Sequence, residues 1–300
     1  MYSPTPTVSK YIGRFAPTPS GALHFGSLIA ALGSYLDARA HHGQWLLRIE
    51  DVDRVRSSMR HAIDIQATLA AFGLTWDGEI RTQSRHIDEY LTILETLKDQ
   101  LYPCGCSRKM WHAVAKMGEL GPIYPGTCRQ HPFTTLSPQD AAIRLKLPAQ
   151  TITFYDRLLG SCQYHLQDDI GDPILRRRDG DIAYALAVTI DDALQGITDI
   201  VRGQDLTAAT AIQLYLQQCL GYKTPRYLHL PLALDEHGRK LSKQNHAHPV
   251  DRSDPLPALQ SALTFLGLET APYRNTNDLL KWATVHWYEK YANRDSQSYN

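Results

Sequence analysis

The sequence predicts an α/β protein: a doubly wound parallel sheet, interrupted by an inserted module and followed by a short helical C-terminal part. Three observations predict it. A strand–helix–strand pattern occupies the first fifty residues, a second set of apolar runs begins near residue 182, and the stretch between them is dominated by turn residues and cysteines.

Tyr11 to Ala16 reads as a short strand closed by the turn residues Pro17, Pro19 and Gly21. Leu28, Leu32, Tyr35 and Leu36 then recur at helical spacing until Gly43, and Trp45 to Ile49 reads as a buried strand. Ser57 is placed to cap a helix carrying Ile63, Leu69 and Phe72, and Ser84 another carrying Ile87, Tyr90, Leu91, Leu94 and Leu97. The pattern breaks at Pro103. Ala142 to Leu147 and Thr151 to Tyr155 alternate like strands of the inserted module. Apolar runs return over Ile182 to Gly203, a helix is predicted over Thr207 to Leu220, and Tyr227 to Leu234 reads as another strand. Two helices follow, near Leu256 to Leu266 and Leu279 to Tyr291. The expected division is 1–102 and 182–234 for the two halves of a Rossmann-type domain, 103–181 for the insertion, and 235–300 for a lysine-bearing loop and a small helical subdomain.

Three hundred residues with 43% hydrophobic and 21% charged side chains suffice for a sizeable core, which argues against disorder. Lys+Arg and Asp+Glu both number 31, so no global field draws the chain to nucleic acid or to an anionic membrane. Any RNA must be held locally, with a small phosphate footprint and a shallow salt dependence. The opening MYSPTPTVSK has no apolar signal core, and Leu23 to Leu36 is interrupted by Gly26, Ser27, Gly33 and Ser34. A soluble, untargeted, cytoplasmic monomer with no membrane partner is expected. Five cysteines, three of them in one short stretch, suggest reduced thiols and a metal rather than a disulfide framework.

The turn Pro17-Thr-Pro-Ser-Gly-Ala-Leu-His24-Phe-Gly26-Ser27 sits at the mouth of the first helix, where unpaired N–H groups and the positive dipole end attract phosphate. Gly238-Arg-Lys240-Leu-Ser242-Lys243-Gln adds a serine flanked by two lysines, suited to neutralising a triphosphate. In this order the two segments resemble the HIGH and KMSKS signatures of class I aminoacyl-tRNA synthetases. His24-Phe-Gly26-Ser27 departs from the first at its second and last places. Arg14-Phe15-Ala16-Pro17-Thr18, Arg48-Ile-Glu50-Asp51 and Ile200-Val-Arg202-Gly-Gln-Asp205 resemble the glutamyl-tRNA synthetase family more closely.

That resemblance, from Tyr11 to about Ala247, implies ATP-dependent activation of L-glutamate, with Mg²⁺ accompanying ATP. Phe15, Ala16, Pro17 and Thr18 would line the amino-acid site. Arg14 would grip the γ-carboxylate bidentately and Glu50 the α-ammonium, with Tyr184 and Arg202 completing the pocket. His24, Gly26, Ser27, Lys240, Ser242 and Lys243 would hold ATP; Lys240, Lys243 and His24 carry the catalysis, Lys243 making the main transition-state contact. The short chain after Gln244 and the string Ile123-Tyr124-Pro-Gly-Thr-Cys128-Arg resemble the glutamyl-queuosine tRNA(Asp) synthetases, a bacterial branch. For these the implied product is glutamate on the queuosine base of tRNA(Asp), whose anticodon stem-loop is the partner. A short synthetase charging the 3′ end of tRNA(Glu) and a non-catalytic RNA-binding paralogue are the alternatives.

Cys104, Cys106 and Cys128 supply three ligands of the four that a structural Zn²⁺ takes. Chemistry alone favours His131 or His112 as the fourth. The resemblance implies Tyr124, which ranks first, ahead of His131. Cys162 and Cys219 are read as packing residues.

Overall fold

The computed structural model describes residues 10–132, 141–234, 248–269 and 273–291. In chain order the elements are β1 (Ile12–Phe15), α1 (Phe25–Ala40), β2 (Gln44–Ile49), α2 (Met59–Ala71), β3 (Arg81–Thr82), α3 (Ile87–Thr96), β4 (Leu101–Cys104) and the single turn α4 (Arg108–Trp111). Next come β5 (Met117–Gly118), β6 (Gly121–Pro122), β7 (Ala142–Leu145), β8 (Thr151–Asp156), β9 (Gly160–His165) and β10 (Ile174–Arg176). Then come α5 (Tyr184–Leu194), β11 (Asp199–Gly203), α6 (Thr207–Leu220), β12 (Arg226–Leu230), α7 (Pro255–Phe265) and α8 (Thr276–Lys290).

Among the described strands, parallel pairs join β1, β2 and β3 and join β11, β12 and β8, and the remaining pairs are antiparallel. β1 runs beside β2 with Arg14 opposite Leu46, and β2 beside β3. β11 runs beside β12 with Arg202 opposite His229, and β12 meets β8 at Tyr227 and Asp156. The two sheets adjoin at β1 and β11, where Thr198 N donates to Ile12 O at 2.9 Å. The neighbouring amide, Ile12 N, donates instead to the Thr198 hydroxyl at 2.9 Å. A threonine side chain thus takes the place of a backbone acceptor at the seam, and the half-buried donor is satisfied.

Successive strand residues point to opposite faces, and each face has its own core. Phe15, Trp45, Leu47, Val201, Leu228 and Leu230 pack with α1, α7 and α8. Ile12, Leu46, Ile200 and Tyr227 pack with α3, α5 and α6. Fully burying each large side chain contributes about 1.5–3 kcal/mol. On the first face α1 lies close to its neighbours because residue 33 is glycine. A Cβ there would stand 2.6 Å from Leu230 Cδ1 and 3.3 Å from Trp287 Cη2. One turn later the fully buried Asp37 accepts from Tyr11 Oη (2.5 Å), Arg157 Nη1 (2.6 Å), Arg157 Nη2 (3.0 Å) and Trp287 Nε1 (2.9 Å). Burial opposes ionisation of Asp37, but the Arg157 guanidinium outweighs it and holds the carboxyl below the usual carboxylate range.

Several elements differ from expectation. Leu101–Cys104 is a strand despite Pro103, and it lies at the edge of the antiparallel sheet β10-β7-β4, where proline is tolerated. Gly160–His165 is a strand whose half-exposed pattern carries little apolar signal; with β8 it extends the second sheet through β12. Ser58 rather than Ser57 stands at the N-cap of α2, without a side-chain capping bond. Ser84 does not cap α3, which starts after His86; its amide and hydroxyl donate to the Asp51 carboxylate at 2.8 and 2.7 Å. Among the described residues no helix is long and apolar enough to cross a membrane.

Candidate active site

β1 and β2 are parallel, as are β11 and β12, and on the face that packs with α3, α5 and α6 their later residues are Arg14, Arg48, Arg202 and His229. All four are buried. Helix α5 answers with Asp191 and Asp192. Asp192 accepts from Arg14 Nε (3.0 Å) and Nη2 (3.3 Å) and from Arg48 Nη2 (2.8 Å). Asp191 accepts from Arg81 Nε (2.6 Å), Gln83 Nε2 (2.8 Å) and Tyr90 Oη (2.9 Å). Arg48 also donates to Glu50 Oε1 at 3.3 Å and to Gln195 Oε1 at 2.9 Å.

Glu50, 5% exposed, sits just past the end of β2. Burial raises its pKa to about 7, against the pull of Arg48 and Arg14. Tyr184 opens α5, and its hydroxyl lies 3.5 Å from Arg202 Nη1. Arg202 is otherwise anchored through Nη2 to Thr210 Oγ1 (2.7 Å) and Gln213 Oε1 (2.8 Å), and through Nε to His229 Nε2 (3.2 Å). Arg14, Glu50, Tyr184 and Arg202 therefore converge, as expected. The expected bidentate grip of Arg14 is made to Asp192, however, through Nε and Nη2; Nη1 takes no part in either bond.

The Phe15 side chain turns to the opposite face from Arg14, stacked on Trp45 at 6.3 Å. Ala16 and Thr18 are half-buried and Pro17 is buried in the turn; Pro17 O accepts from Glu50 N at 3.0 Å and so locks the two strand ends together. His24 is the N-cap of α1: Nδ1 accepts from Ser27 N at 3.4 Å, and Nε2 lies 3.0 Å from Ser27 Oγ. Gly26 and Ser27 form the first turn of that helix. Lys240, Ser242 and Lys243 lie outside the described residues.

Cys104, Cys106 and Cys128 bring their sulfurs within 4.8 Å of one another, and among the described residues no histidine or carboxylate joins the group. Tyr124 Oη is 3.3 Å from Cys104 Sγ and 3.5 Å from Cys106 Sγ, and Cys106 Sγ is 3.4 Å from Cys128 Sγ. Ligands about 2.3 Å from a tetrahedral zinc stand roughly 3.8 Å apart, so three thiols and a phenol at these spacings fit the ion. The Arg144 guanidinium lies 3.7 Å above the Tyr124 ring. His131 and His112 are both exposed.

The family model for class I tRNA synthetases (E and Q), catalytic domain, matches residues 10–276. A glutamyl-Q tRNA(Asp) synthetase of Aromatoleum aromaticum is 48% identical over 92% of this chain and 89% of its own length. The Verminephrobacter eiseniae protein of the same name is 47% identical over 94% and 99%. The chain belongs to the glutamyl-Q tRNA(Asp) synthetase family. Members of this family are ligases built on the class I catalytic domain, and this chain is such an enzyme.

Among solved structures, the glutamate tRNA ligase of Elizabethkingia meningosepticum in complex with its amino acid is 28% identical, with a TM-score of 0.66. The match covers 79% of this chain and 52% of that one, so the chain spans about half the length of that ligase. A Mycobacterium tuberculosis methionyl-tRNA synthetase shares the fold at 14% identity and a TM-score of 0.51.

In this glutamyl-Q synthetase family member, sequence reading missed the residues that hold the others: Asp191, Asp192, Gln195, Thr210, Gln213, Asp156 and His229. Two adjacent aspartates inside the otherwise apolar run of α5 were the one available signal. A buried carboxylate requires a partner, though its identity is not encoded locally.

Proposed function

We propose that the chain joins L-glutamate to ATP as glutamyl-adenylate without tRNA, then passes the glutamate to the queuosine base at the wobble position of tRNA(Asp). The observation that carries this reading is the meeting of Arg14, Glu50, Tyr184 and Arg202 at one end of the parallel strands. Two guanidiniums and a carboxylate suit an amino acid with two acidic groups and one ammonium. The names of the relatives support the choice of tRNA.

In this reading the γ-carboxylate meets the Nη1 end of Arg14, whose other edge Asp192 fixes. Glu50 receives the α-ammonium, and Arg202 with Tyr184 closes the pocket. The α-carboxylate oxygen attacks the α-phosphorus of ATP, and pyrophosphate leaves. His24 and the start of α1 hold phosphate oxygens, while Lys240, Ser242 and Lys243 neutralise the developing charge; Mg²⁺ arrives with ATP. Residues 1–102 and 182–234 make up the two halves of a Rossmann-type catalytic domain, 103–181 the zinc-holding insertion, and 235–300 the lysine segment and C-terminal helices. Cys104, Cys106, Cys128 and Tyr124 hold the zinc. Bound there, the ion cross-links the end of β4 to the segment around residues 124–128. The protein acts as a cytoplasmic monomer, and its catalytic domain and insertion hold the anticodon stem-loop.

Labelled glutamate and ATP offered with tRNA(Asp) carrying queuosine, tRNA(Asp) lacking it, and tRNA(Glu) test the reading. Label enters only the modified tRNA(Asp). Label on the 3′ end of tRNA(Glu) would instead establish a short glutamyl-tRNA synthetase.

A further inference from the structure

His229 and Asp156 are both fully buried, and neither belongs to the groups assigned above to substrate. Asp156 Oδ2 lies 2.8 Å from His229 Nδ1 and accepts from His229 N at 3.0 Å; Oδ1 accepts from Leu158 N and Leu159 N, both at 2.9 Å. Burial works against charge on Asp156, yet the bond from His229 and the two backbone donors hold it ionised. An ionised carboxylate only accepts, so Nδ1 carries the imidazole proton. On the other side of the ring, Arg202 Nε can only donate, so Nε2 is bare. Thr210 Oγ1, 3.2 Å from the same Nε2, is a hydroxyl able to donate to it, so Asp156 and Arg202 fix the neutral Nδ1–H tautomer and Thr210 is compatible with it. With Nε and Nη2 of Arg202 tied to His229, Thr210 and Gln213, the Nη1 end is the one turned towards Tyr184.

We infer that His229, oriented by Asp156, is a positioning residue for amino-acid binding: it accepts the Arg202 Nε–H and thereby fixes which edge of the guanidinium faces the substrate. The inference rests on the reading of Arg202 as part of the glutamate pocket. It also gives the inserted segment a part in that pocket, since Asp156 ends β8 while Arg202 and His229 stand on the neighbouring β11 and β12.

Two variants separate positioning from packing. His229→Phe keeps a ring and removes the acceptor; His229→Gln keeps an acceptor within reach of Arg202 and cannot become a cation. In glutamate-dependent ATP–pyrophosphate exchange, His229→Phe raises the KM for glutamate about ten- to hundredfold. The KM for ATP stays within about twofold, and His229→Gln recovers most of the loss. A KM for glutamate unchanged in His229→Phe, or equal losses for glutamate and ATP in both variants, overturns the inference. Histidine-selective ¹⁵N labelling, with His229→Gln to assign the signal, reads the tautomer without any activity. An Nδ1–H ring at pH 7 supports the link and an Nε2–H ring overturns it. Absence of exchange in the wild type, beside an Nδ1–H ring, overturns the glutamate reading while the His229–Arg202 link stands.

Discussion

Asp192 lies along one edge of Arg14, Oδ1 3.0 Å from Nε and Oδ2 3.3 Å from Nη2, with both side chains 4% exposed. The same Oδ1 accepts from Arg48 at 2.8 Å, so one carboxylate bridges two buried guanidiniums, of which Arg48 also pairs with Glu50 and Asp191.

Removing that carboxylate takes from Arg14 its ion pair and from Arg48 one of three in a low-dielectric interior. Asp192→Ala should cost about 3–5 kcal/mol of stability, read from urea unfolding, and Asp192→Asn less. Burial raises the pKa of Asp192, but Arg14 and Arg48 more than reverse this and bring it below the ordinary value. The stabilisation is therefore complete above about pH 4 and is lost as pH falls through the lowered pKa. A loss under about 1 kcal/mol in Asp192→Ala would show that the ion pairs contribute little.

Glu50 has its pKa raised to about 7, so at neutral pH it is divided between acid and carboxylate. Only the carboxylate attracts an ammonium. The KM for glutamate in pyrophosphate exchange should fall as pH rises from 6 to 8, and binding below pH 7 should release a proton, visible as a buffer-dependent heat. Glu50→Gln should abolish that dependence and raise the KM about ten- to hundredfold at pH 8.

Lys243→Ala should slow adenylate formation about a hundred- to thousandfold, as expected when a preorganised donor to developing charge is lost. Measured exchange at the wild-type rate would remove Lys243 from the chemistry.

Protein purified without added zinc should carry one zinc per chain. Cys106→Ser should lose it and melt at a lower temperature. Tyr124→Phe should release the ion to a chelator faster than wild type, whereas His131→Ala should not. Metal-free wild-type protein of undiminished stability would dismiss the site.

The local elements were legible because they rest on short-range pattern. The spacing of Leu28, Leu32 and Leu36 gave α1, and the strand-then-turn at Tyr11 to Gly21 put Arg14 at a strand end. What lay beyond the sequence was partnership across long separations. Arg14 and Asp192 are 178 positions apart, and nothing near either specifies the other. The sequence therefore did not reveal that Asp192 already holds the Nε–Nη2 edge of Arg14. Thr198 was equally opaque, since its hydroxyl matters only because two sheets meet beside it. The cysteine trio was readable by spacing, whereas the nearness of Tyr124 to it came from resemblance and was then matched by the geometry.

Asp37 ties Tyr11 just before the first strand, Arg157 in the turn between β8 and β9, and the last helix to one carboxylate, with 250 positions between it and Trp287. During synthesis the final donor to that carboxylate emerges 250 positions after the acid itself. Assembly of the α1 side must therefore stay incomplete until α8 has been made, and truncations made before residue 287 will carry an acid group lacking one of its bonds in the middle of the molecule.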